Sequence, residues 1–219
     1  METKWLQTFF KDVPPIAMRE PLAEILGAMP EGGVVYYTYE DAIKVSGHAC
    51  ASVSLAYKAT ELGLKALYGN DVPVRGAVEV AFSGSGTHGA NGPIGQVISF
   101  LTGAAMEYGF HGLMGDYARA DKFHFDEKME IPPGAGFRVI FKRDDNGKMV
   151  EVLPCPSRIP LEPEDLEGSK CMPLVLQGVA TKEQKEKFFR YWQGKNKKIL
   201  MDATEGLFQV REISDYRFY

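Results

Sequence analysis

The chain has 219 residues, 45% of them hydrophobic and 25% charged, a balance that suits an ordinary globular protein with one substantial core. A formal net charge of -4 gives no global reason to expect nucleic acid or an anionic membrane as a partner, and the run Lys195, Lys197, Lys198 reads as a solvated helix end. No apolar run approaches the ~18 residues that span a bilayer, so no membrane association is expected.

The opening stretch to Pro15 is too polar for a secretory signal, and a cytoplasmic protein is expected. Residues 1 to 32 read as a helix-and-turn prelude punctuated by Pro14, Pro15, Pro21, Pro30 and the Gly32-Gly33 step. Thr38 followed by Asp41 is a capping arrangement, which predicts a short helix from Glu40 to Ser46 that stops at Gly47. Small and apolar residues then recur at helical spacing (Val53, Ala56, Tyr57, Leu62, Ala66), predicting a second helix from about Cys50 to Tyr68. A short strand over 77–82 leads into a glycine-rich loop from Ser83 to Gly92, and an apolar helix from about Pro93 to Leu101 follows. Thr102 to Asp121 holds four glycines and no clean period, which reads as loop.

Strands are predicted over 122–126, 136–143 and 148–153, with the Asn146-Gly147 turn joining the last two as a hairpin. A proline-rich crossing from Pro154 to Pro163 precedes a long polar helix opened by Thr181 and Gln184. That helix is expected to bury Phe188, Phe189, Trp192, Ile199 and Leu200. A last strand covers 207–213. This order is not regular β-α alternation. It predicts an α+β fold in a single domain, with helices packed on a mostly antiparallel sheet, a core of about 34 to 154 and a C-terminal helix-strand extension of about 160 to 219.

The three cysteines, Cys50, Cys155 and Cys171, are widely spaced, and no C-x-x-C occurs. Any metal site must therefore draw on histidine or carboxylate as well. His48 and Cys50 fall in the break between two helices. On a helix, side chains two apart diverge, whereas in an extended segment they share a side. Imidazole and sulfur can then meet at one ion, with Cys50 at a helix N-terminus where free amides favour the thiolate. The pair suits zinc, and also iron, nickel or copper. A core histidine beside an inert buried thiol is the competing reading, and the residues alone leave both open.

The run from Tyr37 to Cys50, Tyr-Thr-Tyr-Glu-Asp-Ala-Ile-Lys-Val-Ser-Gly-His-Ala-Cys, resembles the opening of the FmdE family, named for formylmethanofuran dehydrogenase. The following helix and the strand entry Val72 to Val80 resemble it too, and the likeness covers roughly residues 34 to 143. It implies an α+β core that tends to form a homodimer, with a metal near the Gly-His-x-Cys turn. The chain departs from the family pattern in three places: Ala51 stands where proline usually follows the cysteine, the second family cysteine is missing, and no C-terminal four-cysteine finger is present. His88 lies in the loop that corresponds to the second cysteine and is a candidate replacement ligand beside His48 and Cys50.

Gly84-Ser85-Gly86-Thr87-His88-Gly89 matches G-x-G-x-x-G between a strand and a helix. A dinucleotide reading lacks the β-α-β context, with no acidic residue ending a second strand about 20 residues on. The milder expectation is a loop whose backbone approaches a small-molecule site lined by Thr87, His88 and Asn91; a flexible turn is the alternative. His111, His124, Cys155 and Cys171 read as ordinary surface or packing residues. Glu40 and Asp41 are expected to cap their helix, and either is a candidate to orient His48. Three functions follow: a metal-binding protein accessory to molybdenum, tungsten or other metal-dependent one-carbon or redox metabolism; a metalloenzyme with a water on a His/Cys-held ion; or a small-molecule module using the Gly84–Gly92 loop.

Overall fold

Apolar residues at period two and period 3.6 need each other's faces covered, and the fold satisfies both in one stack of helices on a sheet. The computed structural model describes residues 3–218. In chain order its elements are β1 (Ile16–Arg19), α1 (Pro21–Ile25), β2 (Val34–Tyr37), α2 (Tyr39–Ser46), α3 (Ala51–Tyr68), β3 (Val78–Ser83) and α4 (Asn91–Thr102). Then come β4 (Phe123–Asp126), β5 (Val139–Arg143), β6 (Met149–Pro154), α5 (Pro163–Lys170), α6 (Met172–Leu176), α7 (Lys182–Met201) and β7 (Phe208–Ile213).

Five strands form one sheet in the order β4-β3-β5-β6-β7, and only the β3–β4 pair is parallel. The α+β architecture with a mostly antiparallel sheet is therefore as the sequence predicts. Alternation along β5 shows how the faces divide: Val139 and Phe141 join the main core, while Ile140 faces the other way with Ala81 and Met129. Helix α3 lies across the first face against β5 and β6, flanked by α4 and α7. Met149, Ile213, Tyr216 and Phe218 pack against the smaller cluster on the second face. Among the described residues no helix is long and apolar enough to cross a membrane.

Three expectations are corrected. The prelude is not helix and turn alone, because β1 pairs antiparallel with β2 (Ile16 opposite Tyr37, Arg19 opposite Val34) as a separate two-stranded sheet. Residues 163–176, which carry no helical signal strong enough to read, form α5 and α6; each has proline in its first turn, where the missing amide costs nothing. Cys171 thus closes α5. In α7, Ile199 and Leu200 are buried as expected, but Phe188 and Trp192 are half-buried and Phe189 is 39% exposed. The polar helix carries its aromatics at the rim.

The capping box of α2 is complete. The Asp41 amide donates to the Thr38 hydroxyl at 3.2 Å, and the Thr38 amide and hydroxyl donate to the Asp41 carboxylate at 3.0 and 2.7 Å. Partial burial works against the Asp41 carboxylate, but the Thr38 and Lys44 hydrogen bonds outweigh it and hold its pKa below the ordinary 3.8. A depressed carboxyl contributes stability above its unfolded pKa and loses it as pH falls through the folded value. Asp41→Ala is therefore expected to cost about 1 kcal/mol near neutral pH. The gap from the parent should close as the pH falls below 3.8, as read by urea denaturation along a descending pH series.

Candidate functional site

Two local rules shape the turn between α2 and α3. Gly47 takes the left-handed conformation (φ 74°, ψ 0°) that ends α2, and its amide donates to the Ile43 carbonyl at 2.7 Å. Cys50 is extended (φ -144°, ψ 172°) and stands as the N-cap of the 18-residue α3. The break between helices thus falls where the sequence places it, with Cys50 one residue ahead of the helix.

His48 is exposed, and its Nδ1 lies 2.8 Å from the Ser46 carbonyl oxygen. A carbonyl only accepts, so Nδ1 carries the proton, and in the neutral ring Nε2 keeps its lone pair. A backbone carbonyl, rather than Glu40 or Asp41, holds the ring; Asp41 is committed to its cap. Cys50 is half-buried against the core. Its carbonyl accepts from the Ser54 amide and hydroxyl, both at 3.0 Å, and Ser54 Oγ lies 2.8 Å from the Tyr39 hydroxyl. With the serine proton on the Cys50 carbonyl, Tyr39 is the donor in the second bond. Burial keeps the Tyr39 phenol protonated, well above its ordinary range; the Ser54 bond opposes this and the neighbouring Cys50 adds to it. Between the two candidate donors, the Ala49 carbonyl accepts from Trp192 Nε1 of α7 at 2.9 Å.

The sequence reading misses Ser54, Tyr39 and Trp192 as the groups that fix this turn. The Ser54 bond has an available signal, a hydroxyl four residues after an N-cap on a helix. The Trp192 bond spans 143 residues and has none. His48 also lines a hollow of about 250 Å³ with Trp5, Phe10, Ile43, Phe189 and Gln193, and Cys50 is not on that wall.

The glycine-rich loop runs from the end of β3 into α4. His88 and Thr87 are exposed at its crest; the His88 amide donates to the Ser85 carbonyl at 3.1 Å, and Thr87 Oγ1 lies 3.0 Å from Ser85 Oγ. Asn91, at the start of α4, donates its side-chain amide to the Ser85 carbonyl at 2.9 Å and so ties the loop to the helix. Beneath the loop lies a cavity of about 430 Å³ lined by Thr87, Gln96, Ser99, Met106, Phe123 and Phe125, among others. The absence of side chains at Gly86 and Gly95 permits this packing: a Cβ there would stand 2.7 Å from the Phe125 ring. Thr87 lines that cavity, whereas His88 and Asn91 do not.

Among the described residues no three His, Cys, Asp or Glu side chains stand together as an ion-holding group. His48, Cys50 and His88 are therefore not assembled into a three-donor set within one chain. The remaining candidates are dispersed: His111 is exposed, the His124 ring is 6.4 Å from that of Phe218, and Cys155 is buried beside the Leu153 carbonyl. The donor types at the turn, one imidazole nitrogen and one thiol, are of the kind a transition metal takes, but they number only two. Any others must come from water, a small molecule or a second chain. No protein-family model matches the chain, and no curated protein matches it.

Proposed function

We propose that the protein is a metal-binding protein of the FmdE type, acting in the cytoplasm as an accessory to metal-dependent one-carbon or redox metabolism. His48 Nε2 and the Cys50 sulfur would hold the ion, zinc first and iron or nickel next. The observation that carries this reading is the Nδ1–H bond to the Ser46 carbonyl. Histidine ligands commonly donate their second nitrogen to such a carbonyl, which fixes the tautomer and leaves the other nitrogen free to coordinate. A homodimer fits the two-donor count, since a second copy can complete a set that one chain leaves open. When bound, the ion would supply Lewis acidity; the chain's own part is to orient the imidazole and to keep the thiol at the start of α3.

Protein purified without metal-affinity columns and loaded with zinc should carry about one ion per chain by elemental analysis. His48→Ala and Cys50→Ser should each lose most of it while circular dichroism stays unchanged. Full occupancy in both variants would remove the assignment.

The 430 Å³ cavity under the glycine-rich loop favours a second reading, a small-molecule module in which Thr87, Gln96 and Ser99 orient a mainly apolar ligand. The two readings separate cleanly: Ser99→Trp would fill that cavity and leave zinc uptake untouched.

A further inference from the structure

Away from both regions, the sheet edge carries charges that do not balance. Glu20, 7% exposed, accepts from Arg75 Nη1 at 2.8 Å and from Arg119 Nη2. Arg75 spends two more donors on the Phe100 carbonyl, at 3.2 and 2.7 Å. Lys122 donates to the Gly76 carbonyl at 2.6 Å and to Asp144 at 2.5 Å. The group therefore sets three cations (Arg75, Arg119, Lys122) against two carboxylates (Glu20, Asp144) and keeps one positive charge uncompensated.

The surplus has a location. The Arg119 side chain is 9% exposed, and its Nη1 is buried with no hydrogen-bond partner among the described residues. The guanidinium occupies a slot that exists because two residues lack side chains: a Cβ on Gly76 would lie 2.0 Å from Nη1, and one on Gly103 2.3 Å. Burial pulls the Arg119 pKa below the ordinary guanidinium range, and Arg75 adds to that pull against the opposing effect of Glu20. A buried guanidinium whose one carboxylate is shared with Arg75 is left short of negative charge, a costly arrangement that a further anion would relieve.

A hollow of about 260 Å³ opens on this group, lined by Arg75, Gly76, Tyr117, Arg119, Lys122 and Asp144 among others. Glu20 is not on its wall, so the lining presents three cations and a single carboxylate that Lys122 already occupies. Arginine forks match the oxygens of phosphate, and a lysine ammonium adds a point charge. We propose that this hollow is a binding site for a phosphate-type oxyanion, free or carried on a small phosphomonoester. The site is independent of the metal-binding reading, since none of its residues belongs to the His48–Cys50 turn.

Titration calorimetry of the full chain with orthophosphate, and separately with glycerol phosphate, tests it. Saturable binding of at least one is expected; tighter binding of the ester identifies an esterified source, and tighter binding of orthophosphate the free ion. Arg119→Met, which leaves Glu20 paired with Arg75, should weaken binding by about tenfold or more, the loss expected for one charge-assisted contact. Lys122→Met, which leaves Glu20, Arg75 and Arg119 intact, should weaken it several-fold and keeps the test available if the first variant does not fold. Calorimetry rather than melting is used because phosphate stabilises most proteins by exclusion from their surfaces. No saturable heat with either ligand, or unchanged affinity in the folded variants, would overturn the site and leave Arg119 a structural residue.

Discussion

Phe141→Ala should lower the stability of the fold by about 3–5 kcal/mol, the range for deleting a buried aromatic side chain. Phe141 is fully buried in β5, opposite Val80 of β3 and Val150 of β6. Its ring meets α3 where the helix has no side chain, since a Cβ at Gly63 would stand 2.5 Å from the ring. A glycine inside a helix costs about 1 kcal/mol relative to alanine, so its presence there answers the closeness of sheet and helix. Gly63→Ala should therefore destabilise despite the better helix former, by about 1–3 kcal/mol less that gain. In a Phe141→Leu background the same change should cost far less, because the smaller side chain leaves room. Equilibrium urea denaturation reads all of these; a loss below about 1 kcal/mol for Phe141→Ala would contradict the packing described.

Glu20→Leu should be comparably damaging, at about 3–5 kcal/mol, because it leaves the buried Arg119 and the half-buried Arg75 without their shared carboxylate. The diagnostic is the double variant. Adding Arg119→Met removes the stranded guanidinium, while Arg75 keeps the Phe100 carbonyl and its place 5.2 Å over the Tyr37 ring. Most of the lost stability should return. If the double variant is as unstable as the sum of the two single ones, the residues are not energetically coupled and the charge argument fails.

Local chemistry made part of this structure legible. Thr38 with Asp41, the stop at Gly47 and the restart after Cys50 are set by groups within a few residues of each other, and each stands where the residues predict. The Asn146-Gly147 hairpin is of the same kind. Features set by distant partners were not legible. Strands β1 and β2 are only four residues each and sit among prolines and glycines, so pairing rather than propensity makes them strands. Pro163 reads as the end of a proline-rich crossing although it stands where a helix accepts it. Glu20 and Arg119 meet across 99 residues, and no spacing rule reaches that far. At the candidate site the turn was readable and its surroundings were not: His88, expected as a third ligand, sits at the crest of another loop.

The indole bond from Trp192 to the Ala49 carbonyl makes the far end of the chain a custodian of its first third. A peptide spanning residues 38 to 68 would contain both helices and both donors but not the clasp on the carbonyl between them. The angle between imidazole and sulfur therefore belongs to the assembled fold, and whatever loosens α7 also loosens the geometry on which ion capture would depend.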